Sequence, residues 1–505
     1  MKKITLFKYL LSAILLSAFL PNMFAQEQNA NWYFGNQAGI NFNDGTAPST
    51  LLTNGAMNAP GGCSSVSDDF GGLLFYTNGV TVWNKNHVPM SNGNLMGDVN
   101  VSQSVAIIPN PANVDQYYIF SNSAENQANS GLRYSVVDMT LASGLGDVDS
   151  NTQDVVLLTN CSEKMTAIIN PWDNTYWLVS FGPSSDPAVY DTFYAFKIDE
   201  NGDVNAPIVS DFSSDAVITI PYQTTEFAYA PYAGGQMKIS PDFNTLALVH
   251  NLDDRGGSAE ALFIFDFSPI TGLLASNSIR SYYLNDLFTQ SNTYYYGLEF
   301  SPDSQQIFVS TFEKDGNGFG EVIRMRNFAQ GETPNYFLMG VPDDRDSVFG
   351  LQLGIDNKIY ATRGDFSFLD VITNPDEQGE MEINYSFGGY IGEGFDLGSK
   401  IAGQGLPQLS PEIFNSTVVT KKAAKPIVKE NPFRNELKLK FKYIQTYNIE
   451  YHDSMGVLIK TEDYEMTNRR IHKVDTQAWG DGMYYVKIIG AETGDVFYNT
   501  AIKAQ

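Results

Sequence analysis

Met237-Lys238-Ile239-Ser240-Pro241-Asp242 with Thr245-Leu246-Ala247-Leu248-Val249, and Leu298-Glu299-Phe300-Ser301-Pro302-Asp303 with Gln306-Ile307-Phe308-Val309-Ser310, are two copies of one pattern. An apolar strand stops at a Ser-Pro-Asp turn and a second apolar strand begins a few residues later. Proline presets φ for a turn and aspartate accepts from the amides that follow it, so the tripeptide reverses the chain. Looser copies flank these two. Cys63-Ser64-Ser65-Val66-Ser67-Asp68 precedes Leu73-Leu74-Phe75-Tyr76-Thr77, and Ser104-Val105-Ala106-Ile107-Ile108-Pro109 precedes Gln116-Tyr117-Tyr118-Ile119-Phe120-Ser121. Met165-Thr166-Ala167-Ile168-Ile169-Asn170-Pro171 precedes Asn174-Thr175-Tyr176-Trp177-Leu178-Val179-Ser180, and Gly350-Leu351-Gln352-Leu353-Gly354-Ile355-Asp356-Asn357 precedes Lys358-Ile359-Tyr360-Ala361.

Further strands, such as Leu262-Phe263-Ile264-Phe265-Asp266-Phe267, give each unit three or four strands in about 40 to 70 residues, the size of a four-stranded blade with loop insertions. One blade cannot bury both its faces, so blades stack and a closed ring hides the last two faces. The expected fold is all-β, a β-propeller of six or seven blades over residues 26–414 and a small β-sandwich after it. Asn31-Trp32-Tyr33-Phe34-Gly35-Asn36-Gln37-Ala38-Gly39-Ile40-Asn41-Phe42 and Gly405-Leu406-Pro407-Gln408-Leu409 supply strand material at the two ends, and their pairing would fasten the ring. The Ser-Pro-Asp copies resemble the repeats of TolB-type propellers. With the stretch from Cys63 to Trp83, the opening residues resemble the N-terminal propellers of exported surface proteins of the Bacteroidetes. That resemblance implies a fold and a compartment more than an activity.

Lys2, Lys3 and Lys8 precede an apolar run over 9–20, and Met23-Phe24-Ala25 offers a peptidase site, so residues 1–25 read as a signal peptide. The remainder contains no apolar run of about 20 residues, hence no transmembrane segment is expected after signal cleavage. The formal charge of −26 is concentrated in residues 26–414, which carry 14 Lys+Arg against 46 Asp+Glu. Such a surface repels phosphate backbones and argues against nucleic acid as a partner. Cys63 and Cys161 are the two cysteines of a chain that leaves the reducing cytoplasm, and a bridge between them is possible.

From 415 to 430 the composition turns to Ser, Thr, Ala, Val and four lysines, which reads as a linker. Residues 431–505 then form a compact segment. Asn431-Pro432-Phe433 opens it, Leu437, Leu439 and Phe441 alternate, as do Tyr447, Ile449 and Tyr451, and Asp453-Ser454-Met455-Gly456 makes a turn. Gly482-Met483-Tyr484-Tyr485-Val486 starts a strong strand. Together Asn431, Pro432, Phe433, Asp453, Gly456, Gly482 and Tyr484 resemble the motifs of the type A C-terminal sorting domain of type IX secretion substrates. The resemblance implies type IX secretion machinery as a partner and a secreted or outer-membrane cell-surface location, reached through the periplasm.

Motifs for chemistry are sparse. The four histidines are His87, His250, His452 and His472, and no His-Glu-x-x-His, Cys-x-x-Cys, Gly-x-Ser-x-Gly or phosphate-cradling loop is present. Asp199-Glu200-Asn201-Gly202-Asp203 begins like a calcium loop but has Val204 where that loop needs Gly, so a hairpin turn is the better reading. Asp253-Asp254-Arg255 and Asp343, Asp344 and Asp346 form similar polar loops. Tyr294-Tyr295-Tyr296, and Tyr229 with Tyr232, are candidates for a sugar-stacking platform, although packing between blades explains them more simply. These features predict a binding protein for an extracellular protein or glycan, not an enzyme, with no cofactor and no metal. A glycan hydrolase using channel carboxylates, or a subunit of the secretion or motility apparatus, are the alternatives.

Overall fold

The computed structural model describes residues 27–42, 49–68, 70–123, 131–170, 173, 175–185, 189–214, 220–221, 234–250, 261–283, 293–313, 320–329, 331–339, 347–377, 385–386, 394–411, 427–429, 431–440, 446–465, 471–490 and 496–504. It divides into two units, Gln26–Ser416 and one that contains Thr417–Gln505. Among the described residues no helix is long and apolar enough to cross a membrane.

The first unit is a β-propeller whose blades are antiparallel meanders. A typical blade runs from the inner strand Met165–Asn170 through Thr175–Pro183 and Val189–Ile198 to Ile208–Asp211. Others start from the inner strands Val105–Pro109, Met237–Ile239, Thr293–Phe300 and Leu351–Leu353. The blade that begins with Cys63–Ser67 carries one extra strand on its inner edge.

The Ser-Pro-Asp signature has a local cause. Ser240 Oγ donates to Asp242 Oδ1 at 2.5 Å and accepts from Thr245 N at 3.0 Å, while Phe243 N donates to Ser240 O at 2.8 Å. The second copy repeats the geometry: Ser301 Oγ donates to Asp303 Oδ1 at 2.6 Å and accepts from Gln306 N at 2.9 Å, with Ser304 N on Ser301 O at 2.9 Å. The fourth residue of each turn, Phe243 or Ser304, takes positive φ, as does Asn357 in the degraded copy. The serine hydroxyl thus closes the hairpin that proline opens.

Blades are apolar on both faces because each lies between two neighbours. Val66, Phe75 and Val82 of one blade pack on Val105, Ile107 and Ile119 of the next. Ala106, Ile108 and Phe120 then meet Met165, Leu178 and Phe196, and Val179, Phe181 and Phe193 meet Met237, Leu248 and Phe265. The ring continues through Val249 and Ile264 on Tyr295 and Ile307, and through Phe308 and Val322 on Leu351 and Ile359.

Closure differs from the expected pairing. Strands Asn31–Asn36, Ala38–Asn41, Thr50–Leu52 and Asn58–Ala59 form a sheet of their own, and Pro407–Gln408 pairs in parallel with Cys63–Ser64 instead of with residues 31–42. The inner edge of an inner strand has unpaired amides and carbonyls, and the returning chain covers this one. The two ends still meet. Asn36 bridges Ile401, and Asn29 Nδ2 donates to Ser410 O at 3.0 Å while Ser410 N donates to Asn29 Oδ1 at 2.8 Å. Gly35, at φ +54°, permits the approach, since a Cβ there would lie 2.1 Å from Ile401 O. Trp32 fills the seam, 4.7 Å from the Phe42 ring and 5.6 Å from Tyr360.

The C-terminal unit stacks two sheets. One contains Ile427–Lys429, Glu436–Lys440 and Ile471–Asp475; the other contains Leu458–Glu465, Thr446–His452, Gly482–Gly490 and Val496–Lys503. Leu437, Leu439, Val474, Tyr447, Ile449, Tyr451, Val486 and Ile488 form the core between them.

Candidate ligand-binding site in the propeller channel

The inner strands place one polar residue at a matching position in successive copies: Met165-Thr166-Ala167, Met237-Lys238-Ile239, Leu298-Glu299-Phe300 and Leu351-Gln352-Leu353. The apolar neighbours go between blades, because side chains alternate along a strand, and the central residue faces the channel. Lys238 Nζ donates to Glu299 Oε2 at 3.1 Å and to Gln352 Oε1 at 2.5 Å. Glu299 also accepts from Leu353 N at 3.0 Å and Phe300 N at 2.9 Å, so three blades are joined through one buried ion pair.

One step nearer the strand starts, two glutamines do the same for backbone groups. Gln103 Oε1 accepts from Met237 N at 2.9 Å and Met165 N at 3.3 Å, and its Nε2 donates to Met237 O at 3.1 Å. Gln236 Oε1 accepts from Leu298 N at 3.0 Å and Leu351 N at 3.2 Å. Each amide satisfies inner-edge N–H groups of the next two blades.

On the turn side of this layer lies a cavity of about 80 Å³. Its polar lining includes Thr166, Lys238, Glu299, Gln352, Gln408 and Ser410, and its apolar walls include Ile168, Phe243 and Leu409. Gln408 Nε2 and Ser410 Oγ are buried without a hydrogen-bond partner. Gln408 is 7% exposed and Ser410 0%. Unmade bonds of this kind are costly in an interior, and a water or a ligand group that met them would relieve the cost.

At the opposite mouth, half-buried Glu163 accepts from Ser102 N at 2.7 Å and Ser102 Oγ at 3.0 Å. Burial raises its pKa, against the lowering effect of the Ser102 donors and Lys164, while Asp98 adds to the rise. The Tyr296 hydroxyl is buried nearby without a partner, its pKa pushed up by burial and by the Glu163 charge.

The sequence candidates distribute differently. Tyr294, Tyr295 and Tyr296 are buried, Tyr294 stacking on Phe312 at 5.5 Å, so they offer no open platform. Asp199 Oδ1 accepts from Asn201 N at 2.9 Å and Asp203 N at 3.0 Å, a closed hairpin turn. His87 contacts Tyr76 and Asn54, and burial lowers its pKa. Among the described residues no group of three or more His, Cys, Asp or Glu could hold a metal. Tyr229, Tyr232, Asp253, Asp254, Arg255, Asp343, Asp344 and Asp346 lie outside the described residues. Cys63 and Cys161 are not joined: they are buried in different clusters, and Cys161 Sγ donates to Asn122 Oδ1 at 3.3 Å. The channel residues were missed, although the aligned polar position of the inner strands and the Gln before Met237 were visible.

In the C-terminal unit the motif residues are fasteners. Asn431 Oδ1 accepts from Ile502 N at 2.7 Å, and Phe433 N and O bond Ile502 O at 2.8 Å and Ala504 N at 3.0 Å. Pro432 follows Asn431 through a cis peptide bond. Asp453 Oδ1 accepts from Met455 N and Val457 N, both at 2.9 Å, and Gly456 takes φ +80° as the turn requires. Gly482 pairs with Lys503, and Tyr484 donates to Gly480 O at 2.6 Å while its ring lies 4.8 Å from Trp479.

No curated protein matches the chain. Among solved structures it is similar to a candidate 6-phosphogluconolactonase from Bacteroides uniformis, at 11% identity and TM-score 0.33 over 77% of this chain and 97% of that one. It is also similar to a puromycin hydrolase, at 9% identity and TM-score 0.39 over 83% and 58%. PorZ of Porphyromonas gingivalis, an essential surface component of the type IX secretion system, aligns at 11% identity and TM-score 0.23 over 94% and 81%. The expectation that the chain is not an enzyme is corrected by these likenesses, which are mostly to hydrolases and include a mycobacterial puromycin-hydrolysing peptidase and a luciferin-regenerating enzyme. At such identities they assign no reaction to this chain. Residues 431–497 match the secretion system C-terminal sorting domain, so the protein carries the tail that directs export through the type IX system to the cell surface or the medium.

Proposed function

We propose that the chain is an exported surface propeller that captures an extracellular ligand in its channel. In this reading residues 1–25 are a signal peptide, 26–414 the binding domain, 415–430 a linker, and 431–505 the module read by the secretion machinery. The observation that carries it is the cavity beside Lys238 and Glu299, with the buried, unpartnered polar atoms of Gln408 and Ser410 in its lining. The test is a binding array of glycans, peptides and surface proteins probed with the exported full-length protein and with a Gln408→Ala/Ser410→Ala variant. A ligand held by the wild type and weakened in the variant supports the reading; no retained ligand, or equal retention, sinks it.

A second reading, hydrolysis at the opposite mouth, is favoured by Glu163, whose carboxyl pKa is raised by burial, with a smaller contribution from the Asp98 charge. Turnover on a glycan and peptide panel that Glu163→Gln abolishes would establish it.

A further inference from the structure

The geometry points to the end of a neutral carbohydrate as the group that enters the channel cavity, an assignment that rests on the ligand-capture reading above. The unmet bonding capacity there is mostly donor. An ammonium has three N–H groups, and Lys238 places two on Glu299 Oε2 and Gln352 Oε1. Gln408 Nε2 adds an amide without a partner and Ser410 Oγ a hydroxyl without one. The Glu299 acceptors are already engaged: Oε1 holds Phe300 N, and Oε2 holds Lys238 and Leu353 N. An incoming group that brings accepting oxygen atoms meets these donors, and its hydroxyls can also donate to Ser410 Oγ and to the Gln408 amide oxygen.

Charge separates a sugar from a carboxylate or phosphate. Glu299 neutralises Lys238 across 3.1 Å, and residues 26–414 carry 46 acidic against 14 basic side chains, so an anion meets net repulsion. Hydroxyl and ring oxygens meet no such barrier. Ile168, Phe243 and Leu409 supply apolar wall for the C–H faces of a sugar ring. The cavity, about 80 Å³, is several times the roughly 10–15 Å³ that one water needs, which suits a terminal group better than a threaded chain.

The exported full-length protein is titrated by calorimetry and ligand-observed NMR with neutral mono- and oligosaccharides, uronate- and sialate-terminated ones, and short peptides. Neutral sugars should bind. Gln408→Ala and Ser410→Ala should each weaken binding about 3- to 10-fold, the loss of one neutral hydrogen bond. Because neither side chain has a partner in the fold, the melting temperature should hold. Gln408→Glu, of the same shape but without the N–H donors, should abolish binding and covers the case in which Gln408→Ala is unstable. Binding of anionic sugars or peptides in place of neutral sugars, or neutral-sugar binding unchanged in all three variants, overturns the carbohydrate assignment and leaves ligand capture standing. Absence of any ligand overturns both.

Discussion

The propeller channel and the C-terminal sandwich use polar side chains in opposite ways. In the sandwich, Asn431, Asp453 and Tyr484 spend their bonds on backbone groups close at hand, and buried Lys503 donates to Thr476 O and Trp479 O, both at 2.7 Å. Polar groups there hold a shape for another protein to read. In the channel, Gln103, Gln236, Lys238 and Glu299 tie blades that are distant in sequence, while Gln408 and Ser410 in the adjoining cavity are left unmet. The sorting motif closes on itself, whereas the channel cavity keeps donors for a ligand.

Removing the tag tests that contrast most strongly. Deletion of residues 431–505 should abolish extracellular protein while leaving a folded propeller in the periplasm. Fractionation checks it, and wild-type levels in the medium without lysis would break the distinction. Next in size are the two cores. Trp32→Ala should destabilise the propeller by about 3–5 kcal/mol, and Phe433→Ala the sandwich by a similar amount. Each ring is nearly fully buried, in a cluster confined to its own unit. Calorimetry should show each substitution moving a different transition; a common shift would make the units one cooperative body.

Smaller is the effect of the glutamine layer. Gln236→Ala leaves the Leu298 and Leu351 amides without their acceptor, at a cost of about 1–3 kcal/mol each less whatever water recovers. Faster hydrogen exchange at those two amides, with the sandwich unchanged, would sharpen the view that channel amides clamp the ring.

Much of the fold was legible because it rests on local chemistry. The turn at Ser240-Pro241-Asp242 is closed by its own serine, and strand alternation within 446–452 sorts core from surface. Closure was less legible. The parallel pairing of Pro407 with Cys63 depends on which strand edge the rest of the ring leaves open, and nothing near either residue encodes that. The site was half legible: polar residues at one position of successive copies can be aligned by eye. That Lys238 reaches both Glu299 and Gln352 requires the radius of the closed ring.

The smallest expected effect lies at the propeller's turns and concerns pH. Asp376 Oδ1 accepts from Asp303 N at 2.9 Å, and burial pushes its carboxyl up to about 6, only partly offset by that bond, with the nearby Asp303 and Glu377 carboxylates adding to the rise. Gln306 Nε2 and Arg324 Nη2 both donate to the neighbouring Glu377 carbonyl. A raised carboxyl pKa favours the protonated folded form, so its contribution to stability is fully present below the unfolded value near 4 and lost as pH rises through about 6. Asp376→Asn keeps an acceptor for Asp303 N and removes the charge. It should raise propeller stability at pH 7 by about 1–2 °C, leave it nearly unchanged at pH 4, and leave the sandwich transition alone at both. Parallel melting curves for wild type and variant across pH 4 to 7 would show that the Asp376 carboxyl is solvated too well for its burial to register.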